Sequence, residues 1–126
     1  SRRPPEPADA ELAAFHRALL AAVRDRGVRE GDWRLLAPTG WPDNDSSRHL
    51  VAWCWPHELV VVNLADAPAQ ARVHLPWDDL AGRTWSLTDR FSGARFERGG
   101  DELASEGLYV GLEPWGFHFL QLTPRL

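Results

Sequence analysis

Two periodicities divide this chain. In its first part, Leu12, Phe15, Leu19, Ala22 and Val23 recur at helical spacing and so share one face. Asp9 stands where an N-cap belongs, Arg24 and Arg26 suit the negative end of a helix dipole, and Gly27 suits the position just past the helix. The spacing predicts one amphipathic α-helix over 9–27. Residues 1–8, polar and rich in proline, read as a linker or frayed end. Beyond residue 28 the period changes to two. Strand-like runs over 33–37, 48–55, 58–64, 71–75, 83–88, 94–98, 108–112 and 115–122 are separated by turn residues such as Pro38, Pro42, Pro56, Asp66, Gly93 and Pro114.

Many short strands at this spacing predict a mainly β fold. The expected architecture is an antiparallel two-layer β-sandwich, Greek-key-like, over 28–126, preceded by the N-terminal amphipathic helix. Alternation places Leu50, Ala52 and Cys54 on one side of a strand and Val51, Trp53 and Trp55 on the other. With both sides apolar, that strand is expected to be central and covered twice. In the next strand Val60, Val62 and Leu64 are expected to point inward, with Val61 and Asn63 opposite. Ala71, Val73 and Leu75 oppose the polar Arg72 and His74, which gives their strand one wet face.

Composition narrows the classes. With 126 residues the chain is long enough for one core, and seven Trp and five Phe supply its bulk. A net charge of −4 gives no basis for nucleic-acid binding. No apolar run approaches the length of a membrane span, and the N-terminus has no signal-like apolar core. Cys54 is the one cysteine. That excludes an internal disulfide and a cysteine-based zinc cluster, and the expected compartment is the cytoplasm. Ser1 stands in place of an initiator Met, which reads as an excised or processed segment.

The order of motifs carries a resemblance. It runs through 15–20, 31–36, 50–53, 59–64, 69–76, 80–89 and 107–115. This succession resembles the end of α-amylase-superfamily enzymes (glycoside hydrolase family 13), where the last barrel helix leads into a C-terminal antiparallel β-sandwich. The resemblance implies a non-catalytic accessory domain that stabilises a catalytic (β/α)8 barrel in its parent chain, a glycosidase or glucan transferase. It implies no catalytic residue here, because the family's catalytic acids lie in the barrel. The face formed by Leu12, Phe15, Leu19 and Val23 would then be a barrel-facing surface. Cut from its barrel, it would dock on the sandwich or on a second copy of the chain.

Other chemistry is sparse. Asp43, Asp45, Asp78, Asp79, Asp101, Glu102 and Glu113 fall in turns or strand ends, where acids serve capping and solubility. The segment 99–103 mimics a diguanylate cyclase signature but reads as a hairpin turn. His16, His49, His57, His74 and His118 are scattered without ligand spacing, so no metal and no cofactor is expected. Cys54, between two tryptophans, reads as a buried inert thiol. Trp33, Trp53, Trp85 and Trp115 read as core filler, with Trp55 open. Trp41 beside Asp43 and Asn44, and Trp77 beside Asp78, place a flat ring near hydrogen-bonding groups. That pattern suits stacking on an α-glucan, so carbohydrate binding is the alternative function.

Overall fold

The computed structural model describes Ala10, Arg17 and residues 33–126. Ala10 and Arg17 are helical and exposed; the helix expected over 9–27, with Leu12, Phe15, Leu19 and Val23, otherwise lies outside the described residues. Among the described residues the chain is mainly β, with eight strands in two antiparallel sheets, one 3-10 turn and one short helix. The strands are β1 (Arg34–Leu36), β2 (Leu50–Trp55), β3 (Glu58–Asn63), β4 (Ala69–Val73), β5 (Thr84–Asp89), β6 (Arg95–Gly99), β7 (Leu108–Leu112) and β8 (Phe117–Pro124). The helix is α1 (Gly100–Ser105) and the 3-10 turn Ser46–His49. One sheet runs β1-β2-β3-β8-β5-β6; the other is the pair β4-β7. The chain therefore leaves the large sheet twice, for β4 and again for β7, before β8 returns between β3 and β5.

The main core takes residues from both sheets and from α1. Ala52 and Cys54 of β2, Leu59 and Val61 of β3, Trp85 and Leu87 of β5, and Leu120 and Leu122 of β8 meet Ala71 and Val73 of β4, Leu108 and Val110 of β7, and Leu103 of α1. Period-two alternation in each strand supplies these inward rows. Trp85, the largest buried side chain, also gives its indole N–H to Leu80 O at 2.9 Å, so its polar atom is satisfied.

Three expectations change. The inward face of β3 is reversed, since Leu59 and Val61 join the main core while Val60 and Val62 face the other way. Leu64 lies beyond β3 and is exposed. Every residue from Leu59 to Val62 is apolar, so register with β2 and β8, rather than polarity, fixed the facing. The segment 99–103, expected to turn, instead opens α1, because Leu103 is buried in the core. Gly100 permits this packing: a Cβ there would stand 1.7 Å from Leu80 O, and its N–H donates to Arg83 O at 2.7 Å. Among the tryptophans assigned to the core, only Trp85 is fully buried. Trp53 and Trp115 are half-buried and Trp33 is 48% exposed.

Candidate functional site

The residues expected to bind sugar fall in two separate places. Trp41 and Asn44 close a tight turn through paired backbone bonds of 3.0 Å. Asn44 Oδ1 accepts from Ser46 N–H and Ser46 Oγ, at 3.1 and 2.7 Å, so its carbonyl is engaged locally. Asp43 is exposed at the turn, and the half-buried Trp41 ring lies 6.3 Å from Tyr109 of β7. Trp77 packs instead against the main core from the loop between β4 and β5, and its ring lies 5.3 Å from His57; Asp78 beside it is exposed.

His57 gathers a cluster around Trp77 that the sequence did not single out. It occupies the third position of the Trp55–Glu58 turn with φ 59°, a conformation that glycine or asparagine ordinarily supplies. A side chain there carries about 1–2 kcal/mol of strain. Its surroundings hold it in place. Nε2 lies 2.8 Å from Asp79 Oδ2, the imidazole stacks on Trp85 at 5.3 Å, and its carbonyl accepts from Leu122 N–H at 2.8 Å. The imidazole and the Asp79 carboxylate are both about two-fifths exposed. The cluster thus presents an indole, an imidazole and the Asp79 carboxylate to solvent at one end of the large sheet.

A second surface is larger. The face of the six-stranded sheet turned away from β4 and β7 is also apolar over β2, β3 and β8. Val60, Val62 and Phe119 are buried there to 0, 3 and 3% exposure, with Trp53, Trp55 and Phe117 packed around them. Trp55 stacks on Phe119 at 6.1 Å, and Phe91 meets Phe117 edge-on at 5.0 Å. Leu35 of β1, paired with Trp53, extends the face outward and is exposed. One charge lies within it: Glu58, itself buried, pairs with Arg90 at 2.5 Å, and the Arg90 guanidinium lies 5.6 Å over the Phe119 ring. Among the described residues no acceptor meets the buried Trp55 indole N–H, an arrangement that costs stability unless a partner atom meets it.

The two buried acids, Glu58 and Asp89, were not among the sequence candidates. Glu58 is committed to Arg90 and Asp89 to His118, and they face opposite sides of the sheet. Glu58 lies opposite Gln121 of β8 and Asp89 opposite the adjacent Leu120, and adjacent strand residues point to opposite faces. They do not converge on a common cleft, which a pair of glycosidase carboxylates requires. Asp89 Oδ2 lies 3.0 Å from His118 Nδ1, while Oδ1 accepts from Phe91 and Ser92 N–H at 2.9 and 3.3 Å. Burial pushes the Asp89 carboxyl up, but the His118 hydrogen bond, the two backbone N–H donors and the His118 charge together bring it below its ordinary value. Burial likewise raises the Cys54 thiol, against the opposing Arg34 charge and backbone hydrogen bond. Of the remaining sequence candidates, Asp43, Asp45, Asp78, Asp101, Glu102 and Glu113 are exposed. No group of three or more metal-ligating side chains gathers among the described residues.

No protein-family model, curated protein or solved structure matches this chain.

Proposed function

We propose that this chain is the accessory β-sandwich, with Greek-key-like connections, of an α-amylase-type glycosidase or glucan transferase. In this reading it carries no catalytic residue. The outer face of its large sheet packs against the catalytic (β/α)8 barrel of the parent. The carrying observation is that β2, β3 and β8 of the large antiparallel sheet are apolar on both faces. Antiparallel sheets at a free surface keep one face wet, so a second apolar face argues for a second covering layer. The Trp55 N–H adds to this, because a carbonyl on a docked neighbour would satisfy it.

The test starts with the reading frame upstream of Ser1. The proposal expects a (β/α)-patterned stretch of about 400 residues, a barrel with insertions; a frame with no such pattern overturns it. In that parent enzyme, Trp53→Glu is expected to lower the thermal midpoint of the barrel. No change in that midpoint would count against docking through this face.

The second reading is an α-glucan-binding module, and the cluster around His57 favours it. The Trp77 ring lies against His57, with Asp78 and Asp79 at hand, which pairs an aromatic platform with hydroxyl-binding groups. Millimolar maltotriose is then expected to quench tryptophan fluorescence. Trp77→Ala would abolish the quench and Trp41→Ala would leave it intact. Titration without quenching removes this reading.

A further inference from the structure

The two-stranded sheet covers only part of the large one, and between them a cleft of about 180 Å³ opens beside β5, β6 and β8. Its apolar wall includes Leu87, Phe96 and Leu120, and its polar groups are the side chains of His118, Arg98 and Tyr109. The Arg98 guanidinium donates in every state, the Tyr109 hydroxyl donates or accepts, and the His118 imidazole donates from both nitrogens only when doubly protonated. No carboxylate and no side-chain amide lines the cleft, so its chemistry is biased towards an anion.

The His118 imidazole is held from behind. Asp89 is 5% exposed, and its second oxygen is already engaged by two backbone N–H groups. With its pKa lowered, the Asp89 carboxyl is ionised at neutral pH and only accepts. Nδ1 of His118 is therefore the donor to Asp89, which leaves Nε2 to meet whatever enters from the open side, as an acceptor in the neutral ring and as a donor in the imidazolium. Phe96 fixes the ring edge-on at 6.2 Å. The Arg98 guanidinium lies 5.8 Å over the Phe96 ring and spends one nitrogen on Glu97 O at 2.7 Å. Among the described residues Arg98 has no carboxylate partner, so the rest of its planar fork is open to a ligand.

We propose that this cleft binds a small monocarboxylate with an apolar body. The carboxylate would lie against the Arg98 guanidinium, with His118 Nε2–H as a second donor when the ring is an imidazolium, and the body between Phe96, Leu87 and Leu120. Charge-assisted bonds to a guanidinium are among the stronger contacts available to such a ligand. Size sets the limit: drug-sized ligands fill about 300–1,000 Å³, so this cleft admits one ring or a short branched chain. The proposal does not depend on the accessory-domain reading.

Benzoate is the probe, with benzyl alcohol as the neutral isostere, followed by two-dimensional amide and imidazole NMR on the whole chain. Saturable shifts in His118 and in the β6, β7 and β8 amides are expected, with a Kd of about 1 mM. Arg98→Gln on the half-exposed edge strand is expected to weaken binding about tenfold or more while leaving the dispersed spectrum unchanged. Tyr109→Phe, which removes only a hydroxyl, is expected to weaken it less. Three results would overturn the proposal: no saturation at tens of millimolar benzoate, equal binding of benzyl alcohol, or an Arg98→Gln variant that binds as tightly as the parent chain.

Discussion

Strands β2, β3 and β8 of the large sheet are apolar on both faces, but the two faces are buried in different ways. On the inner face, side chains from β2, β3, β5 and β8 meet side chains from β4, β7 and α1, so each buried residue has neighbours from a second layer. On the outer face, among the described residues, those buried and those packed around them come from β2, β3 and β8. Aromatic size does part of the work there. The half-buried Trp53, Trp55 and Phe117 surround Val60, Val62 and Phe119. The inner face is a core that closes on itself, whereas the outer face has the composition of a core with one layer drawn from the described residues. That difference is what makes the outer face the part of the fold in which the proposed interface can be tested.

The largest effect is expected deep on the inner face. Trp85→Ala removes the largest buried side chain, its hydrogen bond to Leu80 O and the surface on which His57 stacks. A loss of about 3–5 kcal/mol is expected, read from guanidinium unfolding. A loss below about 1 kcal/mol, which core truncations of this size do not give, would show that the inner face is not the principal core.

Val60 and Val61 allow a matched comparison of the faces. They are neighbours in β3, both fully buried, and they point to opposite sides. Each Val→Ala change removes about two methylene equivalents, or about 1.6 kcal/mol of transfer free energy, before any cavity contribution. Val61→Ala is expected to lose about 2–3 kcal/mol, because a second layer fixes the cavity walls. Val60→Ala is expected to lose about 1–2 kcal/mol, because Trp53 and its neighbours can lean into the space. Equal losses would mean that the outer face is packed as firmly as the inner one.

A smaller effect follows from acid. Asp89 holds its proton less tightly when folded than when unfolded, so its contribution to stability is present above its ordinary value of 3.8 and is lost as pH falls below it. Urea midpoints are expected to drop across that acid range. In Asp89→Asn the drop should be shallower, since the group no longer titrates, although stability at neutral pH falls as His118 and the turn N–H groups lose a charged acceptor. An unchanged acid slope in the variant would assign the loss to other carboxylates.

Much of this fold was legible in the polarity pattern, and the failures have specific causes. The β7 bounds coincide with the expected 108–112 because Leu108, Val110 and Leu112 alternate with Tyr109 and Gly111. The facing of β3 was not legible, because an unbroken apolar run carries no parity. The helix α1 was hidden by Gly99 and Gly100, whose helix propensity is poor; the tight approach to Leu80 O that requires glycine is a tertiary fact. The candidate site was less legible still. His57 pairs with Asp79 across 22 residues, Asp89 with His118 across 29, and Glu58 with Arg90 across 32. No local signal joins residues at such separations. Proline before His57 did mark a turn, and a histidine at its glycine-like position was the one available hint that its side chain is held by others.

Thiol chemistry gives the finest probe of the two faces. Cys54 points inward, is 2% exposed, and burial raises its pKa, so two separate factors keep it unreactive. In the native chain its labelling by an aromatic disulfide is expected to proceed only as fast as the protein unfolds. Moving the thiol to the outer face, in a Cys54→Ala, Val62→Cys double variant, keeps a similar static exposure, since Val62 is 3% exposed. If the outer cover opens locally while the inner core stays shut, the relocated thiol should react about tenfold faster or more under conditions where global stability is matched. Identical rates at both positions would mean that the faces open in one cooperative event. The outer layer would then have to be counted as part of the same folding unit as the core, and not as a surface awaiting a neighbour.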